Sequence, residues 1–171
     1  MEQEFKSGFV SMVGRTNVGK STLLNHLIQE DVSITANKPQ TTRLAIRAIA
    51  NRENSQIIFI DTPGIHKPKS KLSETMVETA FSSLKDVDVI LFMVDGTSKE
   101  IGKGDTYILN KLKEINKKVI LIINKIDLVK KEELLAIIQE YNNVYNFSCV
   151  IPIEAKKEKY SKIVLDEIEK L

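Results

Sequence analysis

The sequence predicts one α/β domain built on a doubly wound, mostly parallel six-stranded sheet with one antiparallel edge strand. Two observations indicate this class. Short apolar runs alternate with helical patterns along the chain, and one pair of runs is separated only by a turn. The 171 residues suffice for one domain with its own core, and 42% hydrophobic residues favour a packed globule over disorder.

The first half of the chain alternates strand and helix patterns around a hairpin. Residues 9–13 are predicted as a strand and 21–29 as a helix with its leucines on one side. Residues 30–40 have no periodicity and contain Asn37 and Pro39, so a loop is expected. An antiparallel hairpin and an amphipathic helix follow, over residues 44–50, the turn 51–55, 57–60, and the helix 73–85.

The second half continues with buried strands between amphipathic helices. Residues 89–94 and 119–123 are almost entirely apolar, as expected of strands covered on both faces. A short last strand is predicted over residues 147–151. The helices are predicted at residues 105–115, 131–141 and 160–171.

Composition limits the cellular location and the classes of partner that the sequence supports. The formal net charge of +2 gives no argument for a nucleic-acid or membrane partner. Cys149 is the only cysteine, so no internal disulfide forms, in keeping with a reducing cytoplasm. Residues 1–7 lack the apolar stretch of a signal peptide, and no apolar run is long enough to span a bilayer. We expect a cytoplasmic location, with peripheral attachment to the inner membrane left open.

A glycine-rich phosphate loop separates the first strand from the first helix. Residues 14–21 read G-R-T-N-V-G-K-S and match G-x-x-x-x-G-K-[ST], which predicts a P-loop NTPase. Backbone N–H groups can surround phosphate oxygens there, and the helix N-terminus adds partial positive charge. Lys20 is expected to reach the terminal phosphates, and Ser21 to ligate Mg²⁺. The predicted nucleotide contacts are Gly14, Arg15, Thr16, Asn17, Val18, Gly19, Lys20, Ser21 and Thr22.

A second phosphate motif, Asp61-Thr62-Pro63-Gly64, ends the strand at residues 57–60. The carboxyl ends of strands line the ligand crevice of a doubly wound sheet. Asp61 is therefore predicted to hold Mg²⁺ through water, and the Gly64 N–H to approach a γ-phosphate without a side chain in the way.

A base-recognition motif, Asn124-Lys125-Ile126-Asp127, follows the strand at residues 119–123. A carboxylate only accepts hydrogen bonds, and guanine offers two adjacent donors where adenine offers none, so Asp127 suits guanine. Lys125 is expected to lay its alkyl stem along the base. Asn124 is expected to tie this loop to the phosphate loop. After the last strand come Glu154, Ala155 and Lys156, where the Ala155 N–H is predicted to bond guanine O6.

Taken together, the motifs resemble those of the Era-like family of translation-factor-related GTPases. Residues 14–22 resemble the family's G-R-P-N-V-G-K-S-T, residues 40–43 its switch I, residues 61–68 its switch II, and residues 124–127 its guanine motif. The resemblance implies GTP and GDP as ligands, Mg²⁺ as cofactor, and slow GTP hydrolysis used as a molecular switch. Thr16 replaces the family's proline, and Glu154 a common serine; neither change removes a ligand.

The resemblance also implies partners. Members of the family continue into a C-terminal KH domain that binds small-subunit ribosomal RNA, which implies a role in assembly of the small ribosomal subunit. No G-x-x-G loop of that type occurs here. We therefore expect residues 1–171 to be the GTPase domain alone, without the KH domain and monomeric by itself.

The catalytic set combines these motifs with switch I, expected at residues 30–42. It comprises Lys20, Asn17, Thr42 and Gly64. The resemblance makes Thr42 the second hydroxyl ligand of Mg²⁺, with Thr41 as the alternative; both threonines could equally begin a strand.

Two features of the catalytic set bear on rate. Ile65 follows Gly64 where Ras-like GTPases have a water-orienting glutamine, which predicts slow turnover. Asn17 matches an asparagine that in related GTPases helps hold K⁺; alternatively it only serves the turn.

Three other functions remain open from the sequence. The chain could be the domain of another Era-like GTPase, a GTP-dependent recruitment module without hydrolysis, or a P-loop kinase. Asp127 argues against the kinase, because kinases of that group lack the N-K-x-D motif.

Overall fold

The computed structural model describes residues 4–29, 32–33, 46–60 and 71–171. Within these ranges the chain forms a seven-stranded sheet with the spatial order β2-β3-β4-β1-β5-β6-β7. The strands are β1 (Lys6–Val13), β2 (Val32–Ser33), β3 (Ile46–Asn51), β4 (Ser55–Ile60), β5 (Val89–Asp95), β6 (Lys118–Asn124) and β7 (Cys149–Pro152).

The strand directions confirm the predicted class. β1 lies at the centre and pairs in parallel with both β4 and β5, and the parallel ladder continues through β6 to β7. β3 runs antiparallel to β4, as the predicted hairpin requires. The six expected strands are all present, with one of them running against the rest.

One strand was not predicted. Val32–Ser33 pairs antiparallel with Ala50 and Ile49, so β2 lies outside β3 and within the segment expected to be a loop. A strand of two residues is too short to show the alternation by which a strand is recognised in sequence. Its pairing with β3 therefore became visible only in the tertiary structure.

In the part of the chain that the structure describes, five helices cover the two faces of the sheet. They are α1 (Lys20–Gln29), α2 (Lys71–Ser83), α3 (Lys103–Ile115), α4 (Lys131–Val144) and α5 (Lys159–Glu169). Short 3-10 helices lie at Leu84–Asp86 and Ile126–Leu128. α1 and α5 pack on one face, and α2, α3 and α4 on the other.

The central strands are buried on both faces, which accounts for their unbroken apolar sequence. In β5, Leu91 and Met93 face the α1 and α5 layer, while Ile90 and Phe92 face the α2, α3 and α4 layer. All four side chains have 0% exposed surface. Full burial of each such side chain contributes about 1.5–3 kcal/mol relative to exposure, so these strands anchor the fold.

The chain crosses from one face to the other at the carboxyl end of the central strands. α1, which follows β1, covers one face, and α3, which follows the neighbouring β5, covers the other. The loops after β1, β4, β5 and β6 therefore leave the same edge of the sheet, where ligands bind in doubly wound folds. None of the helices in the described ranges has the length and apolar character needed to cross a membrane.

Candidate nucleotide-binding site

The phosphate loop connects β1 to α1 and is held at both ends. Val18 is 2% exposed and anchors the loop in the core, whereas Thr16 and Asn17 are exposed. Asn17 and Gly19 have φ angles of 63° and 112°. A Cβ atom at Gly19 would collide with the side-chain amide of Asn124, so glycine is required there both for its conformation and for space.

The ammonium group of Lys20 lies inside the turn of this loop. Its Nζ donates hydrogen bonds to the carbonyl oxygens of Gly14 at 2.5 Å and Arg15 at 2.6 Å. Burial lowers the pKa of Lys20 below its ordinary value, and the negative charge of Asp105 partly opposes this effect. The structure thus places a compact positive charge at the N-terminus of α1, where phosphate oxygens are favoured.

Ser21 and the end of β4 line a common cavity of about 100 Å³ beside Lys20. Ile60, the last residue of β4, lines this cavity and directly precedes Asp61. A hydroxyl oxygen is a hard ligand of the kind that Mg²⁺ takes together with water and phosphate oxygens. Among the described residues no group of three His, Cys, Asp or Glu side chains could hold a metal alone. Ser21 offers such a hydroxyl oxygen beside Lys20, and its role as an Mg²⁺ ligand stays a prediction.

Several predicted site residues fall in segments that the structure does not describe. They belong to switch I and to the second phosphate motif, and their roles stay predictions. These residues are Thr41, Thr42, Asp61, Thr62, Pro63, Gly64 and Ile65.

Asn124 joins the phosphate loop to the two base loops. Its Nδ2 donates to the carbonyl oxygen of Val18 at 2.8 Å, and its Oδ1 accepts from the Ala155 N–H at 2.8 Å. The side chain is buried, with 5% of the residue exposed. The predicted link between Asn124 and the phosphate loop is confirmed, and the link to Ala155 is an addition.

The second of these bonds changes the expected role of Ala155. Its N–H was assigned to guanine O6, but in the structure it already has an acceptor in Asn124. Ala155 is 2% exposed. A base oxygen at this position would share the N–H with Asn124 and would not receive it alone, because one hydrogen serves both acceptors.

Lys125 adopts a left-handed backbone conformation with φ 67°, and its side chain reaches the end of β5. Its Nζ forms an ion pair with Asp95 Oδ2 at 2.7 Å. The other oxygen of Asp95 accepts from the backbone N–H of Thr97 at 2.9 Å. Burial alone would raise the pKa of Asp95, but the hydrogen bonds from Lys125 and Thr97 hold it below its ordinary value.

Asp95 was missed by the sequence analysis, although a signal was present. It ends β5 at the ligand edge of the sheet and pairs in register with Asn124 at the end of β6. A polar residue that closes an otherwise apolar strand at this edge is a candidate site residue. The ion pair fixes the ammonium group of Lys125 at the end of β5, and the packing of its alkyl stem along a base stays a prediction.

Asp127 and Glu154, in the two base loops, differ in their exposure, since Asp127 is exposed and Glu154 is half-buried. Asp127 is exposed in the 3-10 helix Ile126–Leu128. Glu154 forms an ion pair with Lys157 at 2.9 Å, and this hydrogen bond raises the pKa of Lys157. Lys156 is exposed. The carboxylate that replaces the family's serine is thus engaged by its own neighbour, and the role of Asp127 toward a base stays a prediction.

Arg15 turns away from the loop mouth toward α3. Its Nε donates to Asp105 Oδ1 at 3.0 Å, and 37% of its side chain remains exposed. Arg15 is one of the predicted nucleotide contacts, whereas Asp105, which lies 90 residues away in the sequence, was not predicted.

Comparison with known proteins places this site among GTPases. Residues 9–125 match the sequence model of a protein family described as "50S ribosome-binding GTPase". GTPase Era of Caldanaerobacter subterraneus subsp. tengcongensis is 53% identical over 164 residues, which cover 96% of this chain and 55% of that protein. The chain thus spans little more than half the length of this relative.

Two solved structures show the same fold at 41% sequence identity. An Aquifex aeolicus Era variant bound to GDP.AlF4- has a TM-score of 0.73, with 95% of this chain and 57% of that chain covered. Era in complex with MgGDPNP and nucleotides 1506-1542 of 16S ribosomal RNA has a TM-score of 0.74, with 96% and 57% covered.

Proposed function

Because this chain belongs to the Era-like family of GTPases, we propose that it binds GTP, hydrolyses it slowly and uses the nucleotide state as a conformational switch. The observation that carries the proposal is the buried amide of Asn124, which bonds both the phosphate loop and the base loop. A phosphate loop and a base loop joined in this way suit one ligand that carries phosphates at one end and a base at the other.

The residues divide the chemistry between binding and charge stabilisation. Asp127 accepts from guanine, and Lys125, held by Asp95, covers the face of the base. The Lys20 ammonium and the N-terminus of α1 stabilise charge that develops on the phosphate oxygens during transfer. Mg²⁺, held by Ser21 and, in our proposal, by Asp61 and Thr42, neutralises phosphate charge when bound. Gly64 is proposed to bring its N–H to the γ-phosphate.

Two features support slow turnover. Ile65 offers no hydrogen bond with which to orient an attacking water. Arg15, the arginine of the phosphate loop, donates through Nε to Asp105 on α3. Its side chain is therefore directed away from the phosphates and does not supply positive charge to them. K⁺ beside Asn17 is our proposal for the compensating positive charge.

Phosphate release with GTP and with ATP, each in K⁺ and in Na⁺ at equal ionic strength, tests this function. We expect release from GTP only, and faster in K⁺. Asn17→Gly should abolish the difference between the salts, because glycine keeps the φ of 63° without strain while removing the amide. Equal rates in both salts would leave Asn17 with its turn role alone.

The same assay separates the alternatives. Equal use of GTP and ATP would contradict the guanine assignment. Tight GTP binding without phosphate release would indicate a recruitment module. Transfer to a small-molecule acceptor, with no release to water, would indicate a kinase.

We propose further that the whole protein acts on small-subunit ribosomal RNA through a part beyond this domain. Support comes from the Era structure solved with a 16S ribosomal RNA fragment, together with the half-length coverage of the relatives. The domain itself has a formal net charge of only +2 and 6% aromatic residues, which is a poor composition for reading RNA.

RNA binding by this 171-residue chain should therefore be weak, independent of sequence and steeply lost with salt, as for contacts to phosphates alone. Filter-binding titrations at two salt concentrations, with a 16S fragment and a shuffled RNA of equal length, measure this. Tight, salt-resistant preference for the 16S fragment would place the RNA site on this domain.

A further inference from the structure

A buried carboxylate lies behind the phosphate loop and outside every predicted motif. Asp105, in the first turn of α3, has 0% exposed surface. Its Oδ1 accepts from Arg15 Nε at 3.0 Å, and its Oδ2 accepts from the Tyr141 hydroxyl at 3.2 Å. Burying an unpaired carboxylate is strongly unfavourable, so its two partners determine where this group can lie.

The start of α3 leaves space for the stem of Arg15. A Cβ atom on Gly104 would lie 2.6 Å from Arg15 Cδ, so a larger residue here would make the arginine side chain shift. The N-terminus of α3 also favours a negative charge in its first turn, where Asp105 stands. Helix and arginine therefore fit one another in shape and in charge.

Tyr141 fixes the other oxygen of the carboxylate to the core. The tyrosine is 2% exposed and packs edge-on against Phe92 of β5, with ring centroids 6.2 Å apart. Burial, followed by the nearby charge of Asp105, raises its pKa, so it remains a hydroxyl donor. The Asp105 carboxylate is consequently held by the central sheet and α4 as well as by Arg15.

Arg15 connects the Asp105 carboxylate to Lys20, the lysine that we propose binds phosphate. While its side chain is bonded to Asp105, its backbone carbonyl accepts from the Lys20 ammonium at 2.6 Å. A continuous set of contacts thus runs from Tyr141 through Asp105 and Arg15 to Lys20.

We propose that Asp105 is a positioning residue of the nucleotide site, which acts through Arg15 to fix the start of the phosphate loop and the place of the Lys20 ammonium. The inference rests on the proposed function, since its effect is on phosphate binding. Asp105 contacts no phosphate itself; it determines the geometry that a phosphate meets.

The test compares GDP binding by variants that break the contact from either side. Calorimetry with GDP and Mg²⁺ gives Kd, and the ³¹P resonance of the bound β-phosphate reports the surroundings of Lys20. Asp105→Asn and Arg15→Ala should each raise Kd about tenfold and shift that resonance, because each removes a charge-assisted hydrogen bond. The double variant should bind no more weakly than the weaker single variant.

One control variant separates positioning from general loss of stability. Asp88→Asn changes a carboxylate at the opposite end of the sheet, where it accepts the Phe9 N–H at 2.7 Å, and should leave Kd and the resonance unchanged. Tyr141→Phe removes only the bond to Oδ2 and tests the far end of the same contacts. Its Kd should rise less than that of Asp105→Asn, because Arg15 still holds Oδ1.

The outcomes are distinct. Normal GDP binding by wild type with an unchanged Kd in Arg15→Ala would overturn the inference alone, even if Asp105→Asn did not fold. Additive effects in the double variant would also overturn it, since Arg15 would then act without Asp105. Failure of wild type to bind GDP would overturn the proposed function and this inference with it.

Discussion

Lys20→Ala should reduce GTP turnover by about two to three orders of magnitude, the range seen when one preorganised charge donor is removed from a transition state. Lys20 supplies the positive charge at the mouth of the phosphate loop, and its ammonium also holds the carbonyl oxygens of Gly14 and Arg15. The variant therefore loses the charge and the restraint on the loop together. Single-turnover phosphate release with saturating GTP measures the effect on chemistry, and a GTP titration measures the effect on binding.

Two further variants distinguish the causes. Lys20→Met keeps the bulk of the stem without the charge and should be nearly as slow. Lys6→Ala removes a lysine whose Nζ likewise donates to a backbone carbonyl, that of Glu169 at 3.4 Å, at the other end of the sheet, and should turn over normally. Wild-type turnover in Lys20→Ala would show that the phosphate loop is not the active centre.

Asp127→Asn should weaken GTP binding by about 3 kcal/mol, more than a hundredfold in Kd, and should favour xanthosine triphosphate. The substitution puts an amide N–H₂ donor where guanine presents its own donors, so one acceptor is lost and two donors face each other. Xanthine carries an oxygen in place of the 2-amino group and accepts from the new amide. Competition of both nucleotides against labelled GDP measures the change.

The control for this substitution has the same local setting. Asp86 is an exposed aspartate in the other 3-10 helix, Leu84–Asp86, and Asp86→Asn should leave both affinities unchanged. If Asp127→Asn retains wild-type preference for GTP over xanthosine triphosphate, base recognition lies elsewhere.

Hydrophobic pattern and local motifs were sufficient to predict most of the fold. β5 and β6 could be predicted from the sequence because burial on both faces of the sheet requires a continuous apolar run. The boundaries shifted where tertiary pairing decides them. β1 begins at Lys6, earlier than predicted, because exposed Lys6 and Ser7 pair with Ser55 and Gln56 of β4. No composition rule identifies such an extension.

Site residues were predictable where a motif carries the chemistry in adjacent positions. Gly19, Lys20 and Asn124 could be assigned, since their spacing along the chain dictates their geometry. Asp105 could not be assigned, because it meets Arg15 from 90 residues away, and although the position of Asp95 at the end of an apolar strand was a signal, its contact with Lys125, 30 residues away, was not predictable. Each is a single carboxylate in a sequence that contains 23 acidic residues, and only the crossover of α3 and the register of β5 against β6 bring them to the site.

The two hydrogen bonds of the Asn124 side chain have a consequence for how tightly a whole nucleotide is held. Because one planar amide bonds both the carbonyl of Val18 and the N–H of Ala155, the base and phosphate loops are held at a fixed distance from each other. Once the phosphates are bound, the base meets its loop at a high effective concentration, and that second contact carries little additional entropy loss. Guanosine and pyrophosphate, added as separate molecules, would each contact only one of the two loops. The affinity of the intact nucleotide therefore exceeds what the two fragments achieve independently.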